Sequence, residues 1–141
     1  VNPQPNRSGP IRLLLVEDHA QVAMALAAAF ETVEDIDLVA RARSTAEAVL
    51  ESEQHRPDLV LLDRRLPDGD GVDAIGPLRR LDPDVRVLVF TGEADRATAE
   101  RIRAAGADGL VLKAGLLDDL LDTIRRVGDG EESFDVDLVD R

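Results

Sequence analysis

Five short apolar runs, at residues 11–16, 36–42, 59–62, 85–90 and 109–112, recur along the chain with helix-length intervals between them. Most of them lack the polar/apolar alternation of a strand with one wet face, and strands buried on both faces belong to a parallel sheet covered by helices. The intervals carry the complementary signal. Val22, Leu26, Phe30 and Val33 recur at helical spacing, as do Leu117, Leu120, Leu121 and Ile124 near the end. Ser44 followed by Glu47 is a capping-box pattern for a helix through about Gln54, and Asp95 is placed to cap an alanine-rich helix that ends before Gly106. Between Val72 and Leu81, apolar residues again share one face, but Gly76-Pro77 predicts a kink or a weakened first half.

The sum is an α/β chain of (βα)5 type, for which right-handed crossovers favour a doubly wound, five-stranded parallel sheet with helices on both faces. A chain of 141 residues closes one apolar core rather than two. Residues 1–10, with three prolines and a glycine, are expected to be a flexible leader. The folded domain is then expected over 11–128, and the acidic stretch 129–141, with its single aromatic Phe134, is expected to be a tail or the start of a linker.

Charge and cysteine usage exclude several classes. A formal charge of −12 makes these residues poor partners for a phosphate backbone. With no cysteine there are no disulfides and no thiolate metal sites. No apolar run approaches the roughly 20 residues that span a bilayer, and no secretory signal pattern is present, so a cytoplasmic address away from membranes is expected.

In doubly wound sheets ligands collect at the carboxyl ends of the strands. The first run leads into Glu17-Asp18, the third into Asp63, the fourth into Thr91-Gly92 and the fifth into Lys113. Three converging carboxylates raise one another's pKa unless a cation sits among them. An all-oxygen cluster suits a hard ion, Mg²⁺ where phosphate is handled. An aspartate there can act as a nucleophile toward phosphorus, with a lysine and a hydroxyl to hold the transferred group.

The segments LLLVEDH, LVLLDRRLPDGDG, VLVFTGEA and GADGLVLKA, in this order over residues 11–127, closely resemble those of response-regulator receiver domains. The resemblance implies a flavodoxin-like fold of strand order 2-1-3-4-5 and a switch that takes a phosphoryl group from a sensor histidine kinase. It implies that Asp63 is the phosphoacceptor, and that Mg²⁺ is held by Asp18, Asp63, the backbone carbonyl of Arg65 and, through water, Glu17. It assigns Thr91 and Lys113 to the phosphoryl group, Gly92 to access, and Arg65 and Glu93 to tuning its lifetime, with side chains able to pair across the site mouth. The chain departs from the family at Leu110, where receivers often carry an aromatic switch residue, and at Ala114, where a proline commonly follows the lysine. The segments RLPDGDGVDAI and LLDTIRRVGDGEESFDVDLVDR resemble receivers of LuxR/NarL-type regulators, which implies a C-terminal helix-turn-helix DNA-binding domain outside this chain and a homodimer formed on phosphorylation.

Plainer readings stand beside these. Glu17 and Asp18 can cap the first helix, Lys113 can be a solvated lysine, and Thr91 can make a turn. His19 and His55 are read as surface or helix-end residues, His19 with at most a modest influence on the site. Asp68 and Asp70 are read as turn residues, and Asp118, Asp119 and Asp122 as a solvated helix face. A phosphatase with an aspartate nucleophile usually needs a second acid where this chain has Arg65. An unphosphorylated interaction module usually lacks one of the five site residues, and all five are present. A stand-alone receiver is the remaining alternative. As a receiver the chain is a signalling domain rather than a conventional enzyme, with self-phosphorylation and self-dephosphorylation expected.

Overall fold

The computed structural model describes residues 9–135. In chain order the elements are β1 (Ile11–Val16), α1 (Ala20–Glu31), β2 (Ile36–Ala42), α2 (Thr45–His55), β3 (Leu59–Asp63), β4 (Arg65–Leu66), β5 (Gly69–Asp70), a 3-10 turn (Gly71–Ala74), α3 (Ile75–Leu81), β6 (Arg86–Thr91), α4 (Arg96–Ala104), β7 (Gly109–Leu112), α5 (Leu117–Gly128) and β8 (Ser133–Phe134). The main sheet runs β2-β1-β3-β6-β7-β8 with every pairing parallel. Its first five strands have the expected order. β3 and β6 extend one residue further than their apolar runs, so Asp63 and Thr91 are the last residues of strands rather than the first residues of loops.

The absence of polar alternation has a direct cause. Successive side chains of a strand point to opposite faces, and here both faces are covered. Leu14, Val16, Val60, Leu62, Val87 and Val89 face Ala48, Ile75, Leu78, Ala99 and Ile102 from α2, α3 and α4. Leu13, Leu15, Leu59, Leu61, Leu88 and Phe90 face Leu26, Phe30, Leu120, Leu121 and Ile124 from α1 and α5. Edge strand β2 is less covered and keeps the polar Asp37 exposed.

Local chemistry ends the helices as the sequence predicts, with refinements. The Ser44 hydroxyl accepts from the Glu47 N–H at 3.1 Å, and Asp95 Oδ1 accepts from the Thr98 N–H at 2.7 Å. Asp68 is more than a turn residue: its carboxylate accepts from the Thr45 N–H and hydroxyl and from the Ala46 N–H, tying the loop after β3 to the start of α2. The weak half expected before Gly76-Pro77 is the 3-10 turn, and Pro77 falls in the first turn of α3, where its missing N–H costs nothing. Val33 lies beyond the end of α1, and Leu117 is exposed at the start of α5, whose buried face continues instead to Val127.

Two expectations change. The stretch after 128 is not wholly a tail: Ser133 and Phe134 form a sixth strand on the β7 edge, held by Ser133 N–H to Asp108 O at 3.2 Å and Asp135 N–H to Leu110 O at 2.9 Å. The Arg103 guanidinium lies 4.1 Å from the Phe134 ring centroid. Residues 65–70 form a small antiparallel hairpin rather than an open turn. The expected leader falls outside the described residues except at Gly9 and Pro10, as does the stretch 136–141.

Gly109 makes the β8 docking feasible, because a Cβ there would lie 2.7 Å from Ser133 O, 2.9 Å from Leu88 Cδ1 and 3.1 Å from Val127 Cγ2. Gly109→Ala is expected to destabilise the protein by about 1–3 kcal/mol through overpacking, read as a lower urea midpoint. An unchanged midpoint would show that the β7 edge accommodates a methyl group without loss.

Candidate functional site

All four strand ends named from the sequence meet at one edge of the sheet. β1 delivers Glu17 and Asp18, β3 Asp63, β6 Thr91 and β7 Lys113. Lys113 Nζ lies 3.1 Å from Asp63 Oδ1 and 3.3 Å from Glu17 Oε1, and 5.3 Å from the Phe90 ring centroid. The Lys113 N–H donates to Thr91 O at 2.7 Å, so the ends of β6 and β7 are bonded as well as adjacent. Glu17 is 0% exposed and Asp63 2%. Glu17 is fixed through its main chain too: its N–H donates to Ala42 O, and Arg41 Nε donates to its carbonyl at 3.0 Å.

The two carboxylates of Asp63 and Glu17 differ in environment. Burial and the Glu17 charge raise the Asp63 pKa above the ordinary carboxylate range, against the Lys113 ammonium and the Arg65 N–H, which lies 3.4 Å from Oδ1. Burial also pushes Glu17 up, but hydrogen bonds from the His19 N–H and ring, with Lys113 beside it, outweigh this and leave its pKa lowered. Two buried carboxylate oxygens, Asp18 Oδ1 and Asp63 Oδ2, have no hydrogen-bond partner, while Glu17 Oε1 has the Lys113 ammonium at 3.3 Å. Buried oxygens of this kind are costly unless something cationic or a donor reaches them, so the donor set fits a hard dication. Among the described residues Glu17, Asp18, His19 and Asp63 form a group whose ligand atoms lie within 4.8 Å of one another.

The site opens into a cavity of about 640 Å³ between the β3, β6 and β7 ends and the start of α4. Thr91, Gly92, Glu93, Arg65 and Lys113 line it. The Thr91 hydroxyl donates to Glu93 O over a long 3.4 Å. A Cβ at Gly92 would meet no atom within 4 Å, so packing does not demand a glycine there. Gly71 is different: a Cβ would collide with the carbonyl oxygen of Asp63, and only glycine lets the 3-10 turn pack against that backbone.

Three further residues complete the picture of the site. No ion pair joins Arg65 to Glu93 among the described residues; both are exposed, and the neighbouring Arg64 instead reaches Asp70 at 3.3 Å. Leu110 is 0% exposed, packed in the α2–α4 side of the core away from the cavity lining. His19 is exposed, as read, and its ring Nδ1 lies 2.9 Å from Glu17 Oε2 and 3.5 Å from Asp18 Oδ1, acids that raise its pKa above the ordinary imidazole value. Its position directly after an acidic pair was the signal. The start of α4, with Asp95 and Thr98 on the cavity wall, had no signal beyond its cap.

Because the folded-state pKa of Asp63 is raised, ionisation weakens folding as pH climbs past the ordinary aspartate value of 3.8 and through the folded value, and the penalty persists above it. Asp63→Asn is therefore expected to stabilise the metal-free protein at pH 7 by roughly 0.5–2 kcal/mol, with the advantage shrinking as the pH is lowered. Equal urea midpoints for the two proteins at pH 7 would show that Lys113 already compensates the buried charge.

Comparison with known proteins follows the geometry. The response regulator receiver domain family matches residues 13–125. The response regulator protein VraR of Staphylococcus aureus is 30% identical over 129 residues, 92% of this chain and 62% of that relative, so the chain spans less than two thirds of the relative's length. A two-component response regulator of the LuxR family from Aurantimonas sp. SI85-9A1 has a similar structure, with a TM-score of 0.83 at 30% identity over 88% of this chain and 89% of that one. The response regulator domain of Thermotoga maritima CheB shares the fold, with a TM-score of 0.77 at 24% identity over 86% of this chain and 98% of that one.

Proposed function

Because the chain belongs to the response regulator receiver domain family, we propose that it is a phosphorylation switch in which Asp63 accepts a phosphoryl group from a sensor histidine kinase. One observation carries the reading: Lys113 holds Oδ1 of a buried Asp63 while Oδ2 has no partner. Oδ2 is then the nucleophile. It forms the new P–O bond as the bond between phosphorus and the donor's imidazole nitrogen breaks, and that nitrogen leaves with the electron pair. The Lys113 ammonium lies where the new negative charge develops, and Thr91, giving up its long bond to Glu93 O, supplies a hydroxyl donor to the phosphoryl oxygens.

Glu17, Asp18 and Asp63, with the backbone carbonyl of Arg65, would hold Mg²⁺, which when bound neutralises charge on the reacting oxygens. The unpartnered oxygens of Asp18 and Asp63 support that assignment. Arg65 and Glu93 flank the mouth as separate exposed side chains, each free to affect how readily water reaches the phosphoryl group. Leu110 would forfeit about 1.5–3 kcal/mol of burial on leaving the core, so Thr91 is the better candidate for the moving part, with Leu110 responding within the core.

The wider protein is read as a DNA-binding transcription regulator whose helix-turn-helix domain lies outside this chain. This rests on the LuxR-family relative and on the charge of −12, which would set DNA contact elsewhere. Dimerisation on phosphorylation and a cytoplasmic location belong to the same reading. No helix among the described residues is long and apolar enough to cross a membrane.

Incubation with Mg²⁺ and acetyl phosphate is expected to add the mass of one phosphoryl group to the intact protein. The gain should be absent in Asp63→Asn and in EDTA. No gain with several donors would instead favour an unphosphorylated interaction module.

A further inference from the structure

We propose that His19 is a nitrogen ligand of the acidic site, so that the site takes a borderline transition dication such as Co²⁺ or Zn²⁺ more tightly than Mg²⁺. The inference rests on the reading of Glu17, Asp18 and Asp63 as dication ligands.

The geometry is already that of a coordination edge. Metal–ligand bonds of about 2.0–2.1 Å place neighbouring ligand atoms about 3.0 Å apart in an octahedron and about 3.3 Å apart in a tetrahedron. His19 Nδ1 lies 2.9 Å from Glu17 Oε2 and 3.5 Å from Asp18 Oδ1. All four candidate ligand atoms sit within 4.8 Å of one another, yet Asp18 Oδ1 and Asp63 Oδ2 are buried without a hydrogen-bond partner. Those oxygens point to a cation, and the imidazole nitrogen is the one ligand of a different type beside them.

The main chain holds the ring in place. His19 precedes α1 with extended φ/ψ of −79° and 113°, and its N–H donates to Glu17 Oε2 at 3.0 Å. In the ion-free arrangement Nδ1–H donates to the same oxygen. With a dication present the ring proton is carried on Nε2, on a side chain that is 65% exposed, and the Nδ1 lone pair is given to the metal. Oxygen ligands suit Mg²⁺, whereas an imidazole raises affinity along the first-row transition series. Lys113 keeps its contacts with Glu17 Oε1 and Asp63 Oδ1 and takes no part.

The test uses the full chain stripped of metal, with Mg²⁺ and Co²⁺ titrated separately by calorimetry and Mn²⁺-loaded protein examined by pulsed EPR for coupling to imidazole ¹⁴N. Wild type should bind Co²⁺ more tightly than Mg²⁺ and show the nitrogen coupling. His19→Ala should lose the coupling and weaken Co²⁺ by about tenfold or more while moving Mg²⁺ much less. His19→Asn, which keeps an amide able to donate to Glu17, should behave like His19→Ala. Absence of nitrogen coupling in wild type, or equal weakening of both ions in the variants, would overturn the proposal and leave His19 as a residue that orients Glu17. Failure of wild type to bind either ion would remove the dication reading itself.

Discussion

The Lys113 ammonium between the carboxylates of Glu17 and Asp63 is the contact on which this molecule turns. The acids end adjacent strands, β1 and β3, and are almost wholly buried, so each would push the other's proton affinity up if nothing positive stood between them. The cation comes from the end of β7, two strands away from β3, and its Nζ lies over the Phe90 ring of β6. The arrangement therefore needs the whole strand order. A different order of the same five strands would leave Lys113 out of reach, and the acids would have to be protonated or solvated.

The two ends of the sheet solve the same problem differently. At the amino end Asp108 accepts from the Val87 N–H and pairs with Arg79 and Arg86, while Arg86 goes on to Val127 O and Glu131 O, so the crossovers are tied with the carboxylate satisfied. At the carboxyl end Asp18 Oδ1 and Asp63 Oδ2 lack partners, as does Arg41 Nη2. Buried polar groups left unpaired are a mark of sites that act. The amino end holds the sheet together; in the proposed reading the carboxyl end takes an ion and a new group.

Much of this was legible because burial on both faces leaves a plain mark. An apolar run with no alternation fixes a covered parallel strand, and the first polar residue after it falls at the sheet edge, which located Asp63, Thr91 and Lys113 without any side-chain geometry. What escaped depends on contacts between segments far apart in sequence. β8 is two residues long and owes its existence to Gly109 and Arg103, not to its own apolar content. His19 stays exposed, but its backbone bond to Glu17 Oε2 at the β1–α1 turn, which composition does not encode, sets its ring beside the acids. The expected Arg65–Glu93 pair gives way to separate exposed side chains, with Arg64 taken up by Asp70.

The departure at Leu110 changes how a local event at the site can spread. Leu110 offers no polar ring atom and sits wholly in the core, with Phe134 of β8 beside it on the sheet edge. Thr91 and Lys113 are joined through the 2.7 Å Lys113 N–H to Thr91 O bond, and Lys113 is three residues along the same strand from Leu110. In the proposed switch a displacement of Thr91 toward a group on Asp63 would be carried by β6 and β7 together, at a cost set by packing around Leu110 rather than by a side chain swinging out to solvent. Interiors packed to this density have alternative arrangements rather than continuous deformations. The aromatic of this edge lies on β8 instead of β7, so the surface that would report such a proposed rearrangement takes in the docked segment around Phe134 as well as the faces of α4 and α5.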